Sequence, residues 1–80
     1  MYDIGKRIKM FRKQRGISQK TLAERIQAKN TTVSNWEKGL TRPDVDTLAQ
    51  ICFVLNVSAD ELLDIRLSDA EFTELEKSVI

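Results

Sequence analysis

The side chains best suited to recognition chemistry lie within residues 17–39, where hydrophobic spacing predicts two short helices joined by a tight turn. In the second of these helices, four outward positions repeat at i, i+3, i+4 and i+7 and so form one face. They are held by Thr31, Ser34, Asn35 and Lys38. A solvated helix is normally rich in Glu and Lys, whereas amides and hydroxyls can bond to base edges in a major groove. The pattern therefore predicts a face that could contact nucleic-acid bases.

The opposite sides of the two helices are apolar and predict how that face is held. The first helix carries Leu22, Ala23 and Ile26, and the second carries Val33, Trp36 and, one turn later, Leu40. These positions follow core spacing. We therefore interpret Trp36 as a core residue and not as a base-stacking group.

Length and composition exclude several classes of function. The 80 residues predict one small domain, and the lone cysteine, Cys52, excludes an intrachain disulfide and fits a reducing cytoplasm. There is no histidine, no glycine-rich phosphate loop and no cluster of metal ligands, so we expect neither an enzyme nor a bound cofactor or metal. There is no apolar run of membrane-spanning length, and the charged start at Asp3, Lys6 and Arg7 does not fit a signal peptide.

The net charge of +1 conceals a strong asymmetry along the chain. Residues 1–42 hold eleven Lys or Arg and three Asp or Glu, a net of +8, and residues 43–80 have a net of −7. A basic half suits a polyanion, and the acidic half would then be held away from it. The other interpretation is that these charges simply solvate helices, and composition alone does not separate the two.

Capping signals predict a wholly helical chain. The first helix is expected over residues 4–15, capped by Asp3 and ended by Gly16. Ser18 begins the second, the third spans about residues 30–38 and ends at Gly39, and Asp44 begins a fourth that reaches about Leu55. A short fifth helix is expected at residues 59–63.

The last residues predict a separate amphipathic tail. Residues 69–78 place Leu67, Phe72, Leu75 and Val79 in one row, which could be core or a dimer surface. We expect a domain at residues 1–65 and a C-terminal amphipathic helix or tail at residues 66–80.

A set of short motifs lies in a fixed order along the chain: Ile4-Gly5-Lys6-Arg7-Ile8, Arg12-Lys13-Gln14-Arg15-Gly16-Ile17-Ser18-Gln19, Leu22-Ala23, Val33-Ser34-Asn35-Trp36-Glu37-Lys38-Gly39, Arg42-Pro43, Leu48, Leu55-Asn56-Val57-Ser58 and Leu62-Leu63. This ordered set resembles the phage repressor and Cro-type helix-turn-helix (XRE) family, and the resemblance covers about residues 4–63. It implies an all-α, compact five-helix repressor-like domain, to which the tail adds a short C-terminal helix. The third helix of such a domain lies in the major groove.

The resemblance also implies roles for individual positions. The base-facing residues would be Asn30, Thr31, Ser34 and Asn35, and the phosphate-binding residues would be Gln19, Lys29, Lys38 and Arg42. Gln19 could also brace the side chain of Asn30, or it could be an ordinary exposed residue. Arg12 and Glu37 occupy positions that pair as a structural ion pair in relatives.

Two positions depart from the family pattern. Gln27 holds a turn position that is often Gly, so a left-handed backbone there would be strained by roughly 1 kcal/mol or more. Lys29 replaces the usual Ser or Thr cap before the third helix. Asn30 could then cap that helix itself, and its amide would not be free to contact a base.

The expected function is a sequence-specific double-stranded DNA-binding transcriptional regulator, a repressor, that binds a near-palindromic operator as a homodimer. We expect the dimer surface to include Phe53, Val57, Leu63 and Ile65, with Phe72 and Leu75 of the tail. The alternative is a protein-interaction module of the same fold, such as an antitoxin or anti-repressor.

Overall fold

The computed structural model describes residues 3–63, which form five α-helices and contain no strand. The helices are α1 (Ile4–Gln14), α2 (Gln19–Arg25), α3 (Asn30–Glu37), α4 (Val45–Leu55) and α5 (Ala59–Leu63). The predicted all-α, five-helix architecture is confirmed, although α1 and α3 each end one residue earlier than expected. Among these helices none is long and apolar enough to cross a membrane. The predicted tail, with Phe72 and Leu75, and also Ile65 lie outside the described residues.

Short polar side chains cap the starts of α1, α2 and α4, as the sequence predicted for Asp3, Ser18 and Asp44. Ser18 Oγ accepts a hydrogen bond from the Thr21 amide at 3.0 Å, and Asp44 Oδ1 accepts one from the Thr47 amide at 2.7 Å. Hydrogen bonding from Thr47 also holds the pKa of the Asp44 carboxyl below its usual value. Each such bond satisfies an N–H group that has no partner within its helix.

Four helices end in the same way, through one residue in the left-handed conformation. That residue is Gly16 after α1, Gln27 after α2, Gly39 after α3 and Asn56 after α4. After α2, the Ala28 amide bonds to the Ala23 carbonyl at 2.8 Å, which is the six-to-one bond of the Schellman motif. Glycine and asparagine tolerate this conformation, but Gln27, at a φ of 56°, carries a steric cost.

One continuous core lies between the helices, and two apolar residues depart from the places expected for them. The buried side chains are Ile4, Ile8, Phe11, Leu22, Ala23, Ile26, Val33, Trp36, Ile51, Leu55, Val57 and Leu62. Leu40 was predicted to continue the apolar side of α3, but it is 69% exposed because the left-handed Gly39 turns the chain away. Val45 of α4 is also exposed. Val57 is only 8% exposed, so most of its side chain is used within the monomer, contrary to its expected place on a dimer surface.

Two arginines, one within α1 and one at its C-cap, bind the carboxyl ends of the later helices. Arg15 Nε donates to the Leu55 carbonyl at 2.7 Å, and Arg7 Nη2 donates to the Glu61 carbonyl at 2.6 Å. Both guanidinium groups also lie over the Phe11 ring. Terminal carbonyls lack partners within a helix, so these contacts satisfy them and fasten α4 and α5 to α1.

Helix α1 approaches the backbone of α3 closely at Gly5. A Cβ atom added at Gly5 would overlap the Trp36 carbonyl oxygen and would lie 2.9 Å from the Trp36 carbonyl carbon. Because both are backbone atoms, no side-chain rotation can make room. The absence of a side chain at Gly5 therefore sets the distance at which α3 packs on α1.

We expect Gly5→Ala to lower the free energy of unfolding by about 1–3 kcal/mol or more, because α1 must move away from α3. Alanine in a helix interior would otherwise stabilise by about 1 kcal/mol relative to glycine, so the expected sign is opposite to that of helix propensity. Urea unfolding would measure the change, with the exposed α1 variant Lys9→Ala as the control. Unchanged stability of Gly5→Ala would contradict the packing argument.

We expect Gln27→Gly to raise the free energy of unfolding by up to about 1 kcal/mol, because glycine removes the left-handed strain. The gain is limited because glycine also adds freedom to the unfolded chain. Gln27→Ala is the matched control, since it shortens the side chain and keeps Cβ. If thermal unfolding showed the same shift for both variants, side-chain loss and not backbone strain would explain it.

Candidate nucleic-acid interface

The polar face predicted from the sequence lies on the surface of α3. Thr31 and Lys38 are exposed and Ser34 and Asn35 are half-buried, while Val33 and Trp36 on the opposite side lie in the core. Packing of the apolar side thus holds the helix in one orientation. The four polar residues are left on one side of it, where a double helix could approach.

The beginning of α3 distinguishes between the two roles considered for Asn30. The N-cap residue is Lys29, whose side chain makes no capping hydrogen bond, and Asn30 is the first helical residue and is exposed. The side-chain amide of Asn30 therefore does not cap the helix. It is left free for an external partner, beside the exposed ammonium-bearing side chain of Lys29.

Asn35 and Arg42 line the same surface groove, although seven positions separate them in the sequence. The loop after α3 folds back on the helix because the Leu40 amide bonds to the Asn35 carbonyl at 2.9 Å. The groove between α3, this loop and the start of α4 is lined by Thr32, Asn35, Trp36, Thr41, Arg42, Pro43, Asp44 and Thr47. The side-chain amide of Asn35, which can contact a base, is thus placed near the guanidinium of Arg42, which can contact a phosphate.

The three threonines of this groove were missed by the sequence analysis. Thr32 could have been found, because it lies three positions before Asn35 and so on an adjoining part of the helix surface. Thr41 and Thr47 could not, since only the folding of the loop brings them to the groove.

A buried ion pair joins α1 to the end of α3. Arg12 Nε lies 2.7 Å from Glu37 Oε2, and Arg12 Nη2 lies 3.0 Å from Glu37 Oε1, so the contact is bidentate. Arg12 Nη1 also donates to the Ile17 carbonyl at 2.8 Å, which ties in the loop before α2. The Glu37 side chain is only 3% exposed. Its negative charge is therefore compensated inside the domain and is kept from the surface.

Gln19, the first residue of α2, is held by that same carboxylate. Its Nε2 donates to Glu37 Oε1 at 3.1 Å. The expected bracing of Asn30 by Gln19 is not found, because the side-chain amide nitrogen of Gln19 lies against Glu37 instead. The half-buried position of Gln19 also differs from that of an ordinary exposed residue.

The electrostatics of residues 19–42 favour an anionic partner. This segment contains five basic residues, all of them exposed, namely Lys20, Arg25, Lys29, Lys38 and Arg42. Of its two acidic residues, Glu24 is exposed and Glu37 is neutralised by Arg12. The positive charge at this surface is thus larger than the overall net charge of +1 suggests.

The described residues contain no group of three or more side chains that could hold a metal ion. Cys52 is half-buried, and burial raises the pKa of its thiol, which disfavours the reactive thiolate. The exposed polar surface of α3 and its basic surroundings therefore remain the strongest candidate site in residues 3–63.

Known proteins with similar sequences are transcriptional regulators. ImmR of Bacillus subtilis, an HTH-type transcriptional regulator, is 42% identical over 61 residues, which cover 76% of this chain and 48% of ImmR. SinR of Bacillus subtilis, another HTH-type transcriptional regulator, is 40% identical over 62 residues, covering 76% of this chain and 56% of SinR. The chain thus spans about half the length of these relatives.

Solved structures with the same fold include two that contain DNA. The crystal structure of the biofilm master regulator SinR with DNA matches at a TM-score of 0.71 and 40% identity, covering 76% of this chain and 98% of that one. The P22 c2 repressor with a synthetic operator matches at a TM-score of 0.72 and 32% identity, covering 79% and 96%. A family model described as helix-turn-helix matches residues 8–62, more than half of the sequence. The chain therefore belongs to the XRE-type helix-turn-helix family.

Proposed function

We propose that the chain is a sequence-specific double-stranded DNA-binding transcriptional regulator that acts without a catalytic step. The observation that carries this proposal is the exposed polar face of α3, surrounded by exposed basic residues while Glu37 is buried and neutralised. Such a surface combines hydrogen-bonding groups for base edges with charges for phosphates. The DNA-bound structures of SinR and the P22 c2 repressor support it, because this chain shares their fold.

In the proposed complex, α3 lies in the major groove with its first residues toward the base edges. Asn30, Thr31, Ser34 and Asn35 contact bases, and the free amide of Asn30 supports its inclusion. Gln19, Lys29, Lys38 and Arg42 contact phosphates. The phosphate contacts supply most of the affinity through counterion release, and the base contacts supply the discrimination.

We further propose that the regulator is a cytoplasmic repressor that binds a near-palindromic operator as a homodimer. Two copies of α3 about 34 Å apart would enter successive major grooves. Phe53, which is 88% exposed, and the half-buried Leu63 support a contact surface at the ends of α4 and α5. Ile65, Phe72 and Leu75 would extend this surface, and residues 66–80 would form the separate C-terminal segment.

The second candidate function is a protein-interaction module of the same fold, such as an antitoxin or anti-repressor. Exposed Phe53 favours it, because a large aromatic side chain on the surface suits a protein partner. That partner would bind around Phe53, near the end of α4. Salt-sensitive binding to duplex DNA separates the two functions.

Selection of bound duplexes from a random library, followed by titration over a range of salt concentrations, tests the proposal directly. We expect enrichment of a related set of sequences with two similar half-sites. The logarithm of affinity should fall linearly with the logarithm of salt concentration, with a slope of about −0.9 for each phosphate contacted. Binding that is independent of salt and of sequence would contradict the proposal and favour the interaction module.

We expect Asn35→Ala to relax the sequence preference at one position of each half-site, by about 1–3 kcal/mol if the amide contacts adenine through two hydrogen bonds. The selection should be repeated with this variant, with the exposed α4 variant Gln50→Ala as the control. If Asn35→Ala recovered the same sequences with the same preferences as the unaltered chain, its base-contacting role would be wrong.

Replacement of Arg42 by Ala should weaken binding to all duplexes by a similar factor, because a phosphate contact carries no base preference. The slope of affinity against salt should become shallower by about one unit for each subunit bound. Titration of the preferred duplex and of a scrambled duplex would measure both effects. A loss confined to the preferred duplex would instead mean that Arg42 contacts a base.

A further inference from the structure

We propose that Glu37 is a positioning residue for DNA binding. It holds the side-chain amide of Gln19 where that amide can donate a hydrogen bond to a DNA phosphate, and Arg12 in turn holds Glu37. The inference rests on the proposed function and deepens it. Two hydrogen bonds converge on a single oxygen of Glu37. Its Oε1 accepts from Arg12 Nη2 at 3.0 Å and from Gln19 Nε2 at 3.1 Å. Glu37 thus connects α1 to the first residue of α2.

The chemistry of the carboxylate determines which way the Gln19 amide faces. An ionised carboxylate only accepts hydrogen bonds, so the nitrogen of the amide, and not its oxygen, must lie toward Glu37. One N–H of that nitrogen is used by Glu37. The second N–H remains available, and it is the part of the side chain that can donate to a phosphate oxygen.

The Gln19–Glu37 bond is not needed to complete either the ion pair or the helix start. Arg12 already has two bonds to Glu37, so the carboxylate has a full bidentate partner without Gln19. The start of α2 is capped by Ser18, which accepts from the Thr21 amide. The bond instead restricts the rotation of the flexible Gln19 side chain at the candidate interface.

Restricting Gln19 before DNA arrives would strengthen binding. A free glutamine loses rotamer freedom when it contacts a ligand, whereas a side chain already held by Glu37 has lost that freedom on folding. Glu37 is nearly fully buried and bidentately paired, so it is a rigid support. A carboxylate that would repel DNA at the surface thus assists DNA binding from inside the domain.

A double-mutant cycle on DNA affinity tests this role. Arg12→Met combined with Glu37→Met removes both buried charges together, a replacement that proteins often tolerate, whereas Arg12→Met alone leaves Glu37 unpaired and should lower the unfolding midpoint. The pair of substitutions is made in the unaltered chain and in the Gln19→Ala variant. Dissociation constants are measured for the most enriched duplex from the selection above.

We expect the paired substitution to weaken binding by about three- to tenfold when Gln19 is present, the range expected for one hydrogen bond. In the Gln19→Ala variant it should cause no further loss, because the side chain that Glu37 positions is gone. Equal losses in both backgrounds would overturn the inference, since a merely structural ion pair would act independently of Gln19.

Two measurements keep the outcome interpretable. Thermal unfolding of every variant establishes that it is folded at the temperature of the binding assay. If the paired variant is not folded, Arg12→Leu combined with Glu37→Leu takes its place in the same cycle, because it also removes both charges and the acceptor for Gln19 and leaves neither partner unpaired. If the unaltered chain shows no salt-sensitive binding to any duplex, the proposed function fails, and the positioning role fails with it.

Discussion

The buried Arg12–Glu37 ion pair is the interaction on which the arrangement of the other elements depends. Two charges taken out of water are costly unless they are paired and their remaining hydrogen-bonding groups are satisfied. Here both conditions are met, because Arg12 and Glu37 form two hydrogen bonds to each other and Arg12 also bonds to the Ile17 carbonyl. The requirement to satisfy these groups fixes α1, the start of α2 and the end of α3 relative to one another.

Helix α1 is the support on which the candidate interface is built. The arginines of this helix and of its C-cap bind three different parts of the fold, since Arg7 reaches α5, Arg15 reaches the end of α4 and Arg12 reaches α3. Gly5 adds the close backbone approach to Trp36. The charge asymmetry of the sequence therefore has two origins. Arg7, Arg12 and Arg15 stabilise the fold, whereas the exposed basic residues of residues 19–42 are those available to an anionic partner.

The turn between α2 and α3 combines a helix end with a change of direction in very few residues. Gln27 adopts the left-handed conformation that Gly16 and Gly39 adopt elsewhere, so the turn forms at some steric cost. Lys29 then begins α3 without a side-chain cap, which leaves the Asn30 amide free. Both positions depart from the family pattern, yet the helix-turn-helix forms, because the core side chains Leu22, Ile26 and Val33 hold the two helices together.

Local interactions account for what the sequence by itself determined. Bonds and spacings within a few residues determine the helix starts at Ser18 and Asp44 and the helix ends at Gly16 and Gly39. They also determine the polar face of α3. Only the tertiary structure decided that Val57 is buried and that Gln19 bonds to Glu37 rather than to Asn30. The physical reason is distance along the chain: Gln19 and Glu37 are 18 positions apart and Arg7 and Glu61 are 54 apart, so neither contact has a signature in local spacing.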